Sequence, residues 1–227
     1  MSDIPGGPMA TRPVVLYWLV DCSGSMSMNG KIGALNFAIR EALPDLLSAA
    51  ADNPAATLMM RVLAFSSEAR WESETAVPIE DFRPPELEAH GATALGAALR
   101  LLAEELHTPP MPTRALRPVI VLISDGIPTD DWRAGLRALD TTPWGRRSLR
   151  VAIAVGDDAD RGILQEFLQN PELEPLNAGR ISELARSLRW ASTMAVRASS
   201  SPTTHTVFTG FTSLPPQALG DDDEDVW

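Results

Sequence analysis

The chain has 227 residues, 44% of them apolar, and a formal net charge of −11, which predicts one α/β domain with tails. The acidic balance argues against general nucleic-acid binding, which needs a basic footprint, and suits a bound cation or a basic partner. Cys22 is the sole cysteine, and His90, His107 and His205 lie far apart, so there is no intrachain disulfide and no zinc-like pattern.

Residues 1–12 are Gly/Pro-rich and lack the basic and apolar regions of a signal peptide. No apolar run approaches the roughly 20 residues that cross a bilayer, so a soluble cytoplasmic protein is expected. Val14–Val20 is almost wholly apolar and reads as a strand buried on both faces. Ile32, Leu35, Phe37, Ile39, Leu43, Leu46 and Leu47 follow with helical spacing, and Pro44 predicts a kink or restart there. Ala56–Ser66 reads as a second strand, and Arg70–Ile79 alternates as an antiparallel edge strand would.

Thr93–His107 is helical, with Leu95, Leu99, Leu102 and Leu106 on one face. Arg117–Gly126 is another buried strand, followed by a helix over Asp131–Leu139, a strand over Leu149–Gly156 and a short helix over Arg161–Leu168. Leu173–Asn177 is a brief strand and Ile181–Val196 the last helix. Strands alternating with helices predict a mainly parallel sheet covered on both faces. The domain spans 13–197. From Ala198 the chain turns rich in Ser, Thr and Pro and then acidic at Asp221–Asp225, a tail expected to be mobile by itself.

Ligands of open parallel sheets sit beyond the carboxyl ends of the strands. Asp21, Ser23 and Ser25 fall at one such end and Asp125 at another, while Thr93 opens a helix, as a cap or as a ligand. Two carboxylates and three hydroxyls suit a small hard cation such as Mg²⁺ or Mn²⁺. Mostly neutral donors leave such an ion electrophilic, with a position for a partner's carboxylate.

Asp21-Cys22-Ser23-Gly24-Ser25 matches the D-x-S-x-S motif of von Willebrand factor A (VWA) domains. Thr93 and Asp125 fit the other two positions of their metal-ion-dependent adhesion site (MIDAS). The resemblance implies a doubly wound, Rossmann-like sheet of about six strands with one antiparallel edge. It also implies ligand binding rather than catalysis. "GKIGALNFAIREALPDLL" and "GATALGAALRLL" further resemble bacterial tellurium-resistance proteins of the TerY type. That likeness implies a stress-response or phosphorylation-linked system in which a kinase or phosphatase is the partner.

Simpler readings stand beside these. Asp130 and Asp131 are expected to begin a helix, where acids complement the dipole. Asp157 and Asp158 are expected to be a solvated loop, Cys22 a buried apolar residue, and Met26 and Met28 either packing or a contact rim. Trp71 and Trp190 are expected to be structural. The rival function is a Mg²⁺-dependent phosphoryl-transfer enzyme with Asp21 as nucleophile. Against it, Ser23 replaces a second acid, and no lysine or arginine sits in these motifs to hold a phosphate. Neither G-x-G-x-x-G nor a P-loop is present.

Overall fold

A computed structural model describes residues 11–200. The first ten residues of the expected leading segment, and the tail from 201 on, lie outside the described residues. Strand β1 (Arg12–Asp21) leads through a 3-10 turn (Gly24–Gly30) into α1 (Lys31–Ala51). Then come β2 (Ala56–Phe65), β3 (Ala69–Trp71), β4 (Val77–Pro78) and α2 (Leu95–Glu105). The second half holds β5 (Val119–Ser124), α3 (Trp132–Thr141), a 3-10 turn (Gly145–Arg147), β6 (Leu149–Val155), α4 (Arg161–Leu168), β7 (Leu176–Ala178) and α5 (Ile181–Ser200).

The strands form one sheet in the order β3-β2-β1-β5-β6-β7, with β4 also pairing β2. Pairing is parallel from β2 across to β7, and only β3 and β4 run antiparallel. The expected edge strand over Arg70–Ile79 is therefore two short strands. Between β1 and β5 the connection reverses direction along the sheet, which opens a crevice beyond their carboxyl ends.

β1 is buried at every residue from Val14 to Asp21, because helices cover both faces of its near-continuous apolar run. Its successive side chains point to opposite faces. Trp18 Nε1 donates to Ser192 Oγ of α5 at 3.0 Å, while Tyr17 Oη donates to Met111 Sδ at 3.4 Å. α5 packs on α1 and also lies against β1, β5, β6 and β7; α2 packs on α3 and lies against β2 and β3. Among the described residues no helix is long and apolar enough to cross a membrane.

Two expectations about α1 are corrected. The helix does not restart at Pro44: Lys31–Ala51 is one helix that includes it. The carbonyl that Pro44 deprives of a donor belongs to Arg40, and both residues lie on the exposed face, where water can satisfy it. The buried stripe is Ala34, Leu35, Ala38, Ile39, Ala42, Leu46 and Ala49, whereas Phe37 and Leu47 are 44% and 41% exposed. Alanines on the inner stripe let α5 approach closely, and the larger side chains at 37 and 47 fall outside the contact. The last helix extends past Val196 to Ser200.

Ile39→Ala is expected to cost about 2–5 kcal/mol through a core cavity, and Phe37→Ser about 0.5 kcal/mol or less. Urea denaturation of the two variants distinguishes these positions, and equal losses would contradict the burial of this helix.

Candidate functional site

β1 ends in Asp21, which is fully buried. A buried carboxylate must find donors, since an unpaired charge away from water is costly. Its Oδ1 accepts from Ser23 N at 2.8 Å, closing a tight local turn, and its Oδ2 accepts from the Ser124 hydroxyl at 2.5 Å. Ser124 is the last residue of β5, so this bond ties the ends of the two strands at the reversal point. Burial pushes the Asp21 carboxyl above its ordinary pKa; the hydrogen bonds from Ser124 and Ser23 oppose that rise, and the charge of Asp125 adds to it.

The turn after Asp21 is held from the side: Cys22 N donates to Phe65 O, His90 N to Cys22 O, and Gly24 N to Gly91 O, at 2.7–3.0 Å. This presents both serines. Ser23 Oγ and Ser25 Oγ share a hydrogen bond of 3.0 Å, and Ser25 Oγ donates to Asp125 Oδ1 at 2.8 Å.

Thr93 arrives from a third loop. Its carbonyl accepts from Thr129 N at 2.9 Å, and its N–H donates to Thr129 Oγ1 at 3.3 Å. It does not cap α2: the N-cap is Ala94, and the orphan N–H groups of Gly96 and Ala97 donate instead to Asp130 at 2.8 Å each. The Thr93 hydroxyl is thereby left to the site. A Cβ at Gly126 would sit 3.1 Å from Thr93 Oγ1 and 3.5 Å from Asp21 Oδ2, so these two oxygens face each other across that glycine. All five residues singled out in the sequence converge above β1 and β5.

The most consequential neighbour was not expected. Lys31, the sole lysine of the chain, is 2% exposed and donates to Asp125 Oδ2 at 2.7 Å and to Asp158 Oδ1 at 2.8 Å. The D-x-S-x-S segment itself holds no basic residue, but Lys31 reaches the region from the start of α1, and Asp158, expected to lie in a solvated loop, is its second partner. Burial works against the ammonium, but the hydrogen bonds and charges of Asp125 and Asp158 outweigh it and hold the Lys31 pKa above the ordinary value. The hydrogen bond from Lys31 lowers that of Asp158. Gly156 makes room for the bridge: its φ is +81, and a Cβ there would lie 2.7 Å from Asp158 Oδ1 and 3.0 Å from Lys31 Nζ.

One signal for Lys31 was present in the sequence. A lysine opening a helix opposes the helix dipole, so it needs a carboxylate to hold it. Asp130 and Asp131 also divide differently from expectation. Asp131 caps α3, accepting from Ala134 N at 2.9 Å, while Asp130 reaches across to α2. Met26 is buried, whereas Met28 and Ile127 are 53% and 67% exposed on two loops of the site. Trp71 packs on Tyr17 and under the Arg61 guanidinium, as a structural residue would.

Among the described residues there is no cluster of three His, Cys, Asp or Glu side chains suited to a metal. The donors here are of another kind, two carboxylates among three hydroxyls, all hard oxygens drawn from separate loops. That set fits a hard divalent cation and not a thiolate- or imidazole-bound one.

The topology, with its crevice between β1 and β5, defines a VWA-type α/β fold. Solved structures with this fold include a von Willebrand factor type A protein from Catenulispora acidiphila, 19% identical with a TM-score of 0.63, covering 82% of this chain and 43% of that one. The ArnB paralog VWA2 from Sulfolobus acidocaldarius is 19% identical with a TM-score of 0.53, covering 78% and 44%. Proximal thread matrix protein 1 from the mussel byssus, with a zinc-occupied MIDAS motif, is 15% identical with a TM-score of 0.59, covering 80% and 47%. This chain thus spans less than half the length of each. No protein-family model matches the sequence, and no curated protein does.

Lys31→Met is expected to destabilise the protein by about 3–5 kcal/mol, because Asp125 would keep a buried charge without its partner. Asp158→Asn, at a carboxylate that is 58% exposed, is expected to cost about 1 kcal/mol or less. Denaturant titrations of both variants test this asymmetry. Burial, with the charge of Asp21 adding to it, pushes the Cys22 thiol up to about 12. Iodoacetamide at pH 8 is therefore expected to leave the folded protein unmodified and to label it only once unfolded, as read by mass spectrometry.

Proposed function

We propose that this chain is a metal-dependent protein-interaction module. Mg²⁺ or Mn²⁺ is held by Asp21, Ser23, Ser25, Thr93 and Asp125, and a carboxylate of a partner protein completes the shell. The observation that carries this reading is the convergence of three hydroxyls and two carboxylates at the sheet's reversal point, with the Thr93 hydroxyl not spent on a helix cap. When bound, the ion supplies a positive anchor for an acidic group. The chain does the rest: Ser124 and the Ser23 N–H orient Asp21, Lys31 orients Asp125, and Met28 and Ile127 offer an apolar rim beside the site.

A divalent ion in this position is supported by the mussel protein of similar fold, whose MIDAS motif is zinc-occupied. The likeness of two sequence segments to TerY-type proteins supports a bacterial stress-response or phosphorylation-linked setting, with a kinase or phosphatase as the partner. The phosphoryl-transfer reading has less support. Asp21 is fully buried and each of its oxygens accepts a hydrogen bond, so it is poorly placed to attack. Lys31 is committed to two carboxylates rather than open to a phosphate.

Calorimetric titration with Mn²⁺ is expected to show one site in the wild type and affinity weaker by roughly tenfold or more in Ser25→Ala and Thr93→Val. Pull-downs from cell extract with Mg²⁺ and with chelator then ask whether the partner needs the ion. Equal Mn²⁺ affinity in all three proteins would remove the metal site, and a partner retained equally in chelator would place its interface elsewhere.

A further inference from the structure

The end of the sheet away from Asp21 collects positive charge in a chain whose net charge is −11. Arg12 opens β1, and its guanidinium donates to the carbonyls of Arg114 and Ala115 at 3.0 Å each. Arg117 precedes β5, Arg146 and Arg147 form the turn before β6, and Arg150 lies inside β6. Parallel pairing aligns these starts, with Val119 opposite Leu149 and Leu149 N donating to Pro118 O at 2.9 Å. The arginines of two distant segments are thus brought to one place.

Among them opens a cavity of about 170 Å³, lined by Arg117, Arg146, Arg150, Ser148, Gln169 and Asn170 together with smaller contributions from apolar neighbours. One water needs roughly 10–15 Å³ of such space, so the cavity holds a small polar group with ease. It is below the range of about 300–1,000 Å³ usual for apolar drug-sized ligands. No Asp or Glu is among the described lining residues. Asp140 touches two of them, but both its oxygens are engaged, one by Arg150 Nη2 at 2.5 Å and the other by Gln169.

The site is built rather than incidental. Arg150 is 7% exposed, and its guanidinium is fixed by the carbonyls of Phe167 and Gly145 at 3.2 and 3.1 Å as well as by Asp140. Arg117 Nε donates to the backbone carbonyl of Arg147 at 2.9 Å, which fixes the Arg117 guanidinium against the turn before β6. Burial, with a smaller contribution from the charge of Arg147, lowers the pKa of Arg117. A guanidinium presents a planar fork of donors that matches phosphate oxygens. Arg117 and Arg146 line this small polar cavity, and Arg150, engaged by Asp140 and the carbonyls, is a fixed wall behind them.

We propose that this cavity binds the phosphoryl group of a small phosphate-bearing molecule, at the end of the domain opposite the Asp21 site. The two sites use opposite charge, and neither needs the other to be occupied.

The full chain, labelled with ¹⁵N, is titrated with inorganic phosphate, O-phosphoserine and AMP at constant ionic strength, with chloride as the control. Saturable shifts of the amides of Gly145–Leu149, Gln169 and Asn170 are expected with at least one of the three, and which one binds tightest identifies the source of the phosphate. Arg146→Ser, at an exposed position, and Arg117→Met are each expected to weaken binding at least tenfold. Arg133→Ser, on α3 and paired with Glu166, is expected to leave it unchanged. Shifts no larger than those from chloride, or an affinity that Arg146→Ser leaves intact, would overturn the proposal.

Discussion

The rest of the structure hangs on a carboxylate at the end of a strand that has no access to water. β1 is covered on both faces because its side chains are apolar on both. Asp21 is the residue at which that apolar run stops, yet it is still inside the protein. Its charge has to be met by protein donors, and the two that meet it come from its own turn and from the end of β5. One buried group therefore sets both the shape of the loop that carries Ser23 and Ser25 and its alignment with the strand that leads into Asp125.

Lys31 extends the same logic to the next strand. A compact ammonium with three donors can serve two carboxylates on different loops, and here it joins the start of α1 to the ends of β5 and β6 through Asp125 and Asp158. Its charge also keeps two neighbouring carboxylates from acting as a bare anionic pair. Elsewhere the cations are arginines, and several of them are tied into their surroundings. Arg61 lies over Trp71 and pairs with Glu105 at 2.7 Å, and Arg150 gathers the lower end of β6. The molecule is thus polar along its strands, with the acids of the D-x-S-x-S end opposed by the arginines at the strand starts.

Helix capping shows how side chains are shared between elements. Asp131 caps the helix that follows it, as its place in the sequence suggests, but its neighbour Asp130 serves α2. That exchange releases Thr93 from capping. It also requires close contact between α2 and α3, where a Cβ at Gly96 would lie 2.6 Å from the Asp131 carbonyl.

By itself the sequence determined most of the strand and helix order and pointed to five oxygen-bearing residues in the loops above the sheet. Apolar runs and i, i+3, i+4 spacing are local, and the D-x-S-x-S spacing is carried within one turn. What only the tertiary structure decided was partnership. Phe37 and Leu47 have helical spacing yet face outward, because the position of α5, far along the chain, selects which stripe of α1 is buried. Lys31 pairs with residues 94 and 127 positions away, and the arginines before β5 and β6 meet only because those strands lie side by side. Spacing along a chain reports the period of an element, whereas the charge that a buried group meets depends on which strands the sheet places next to one another.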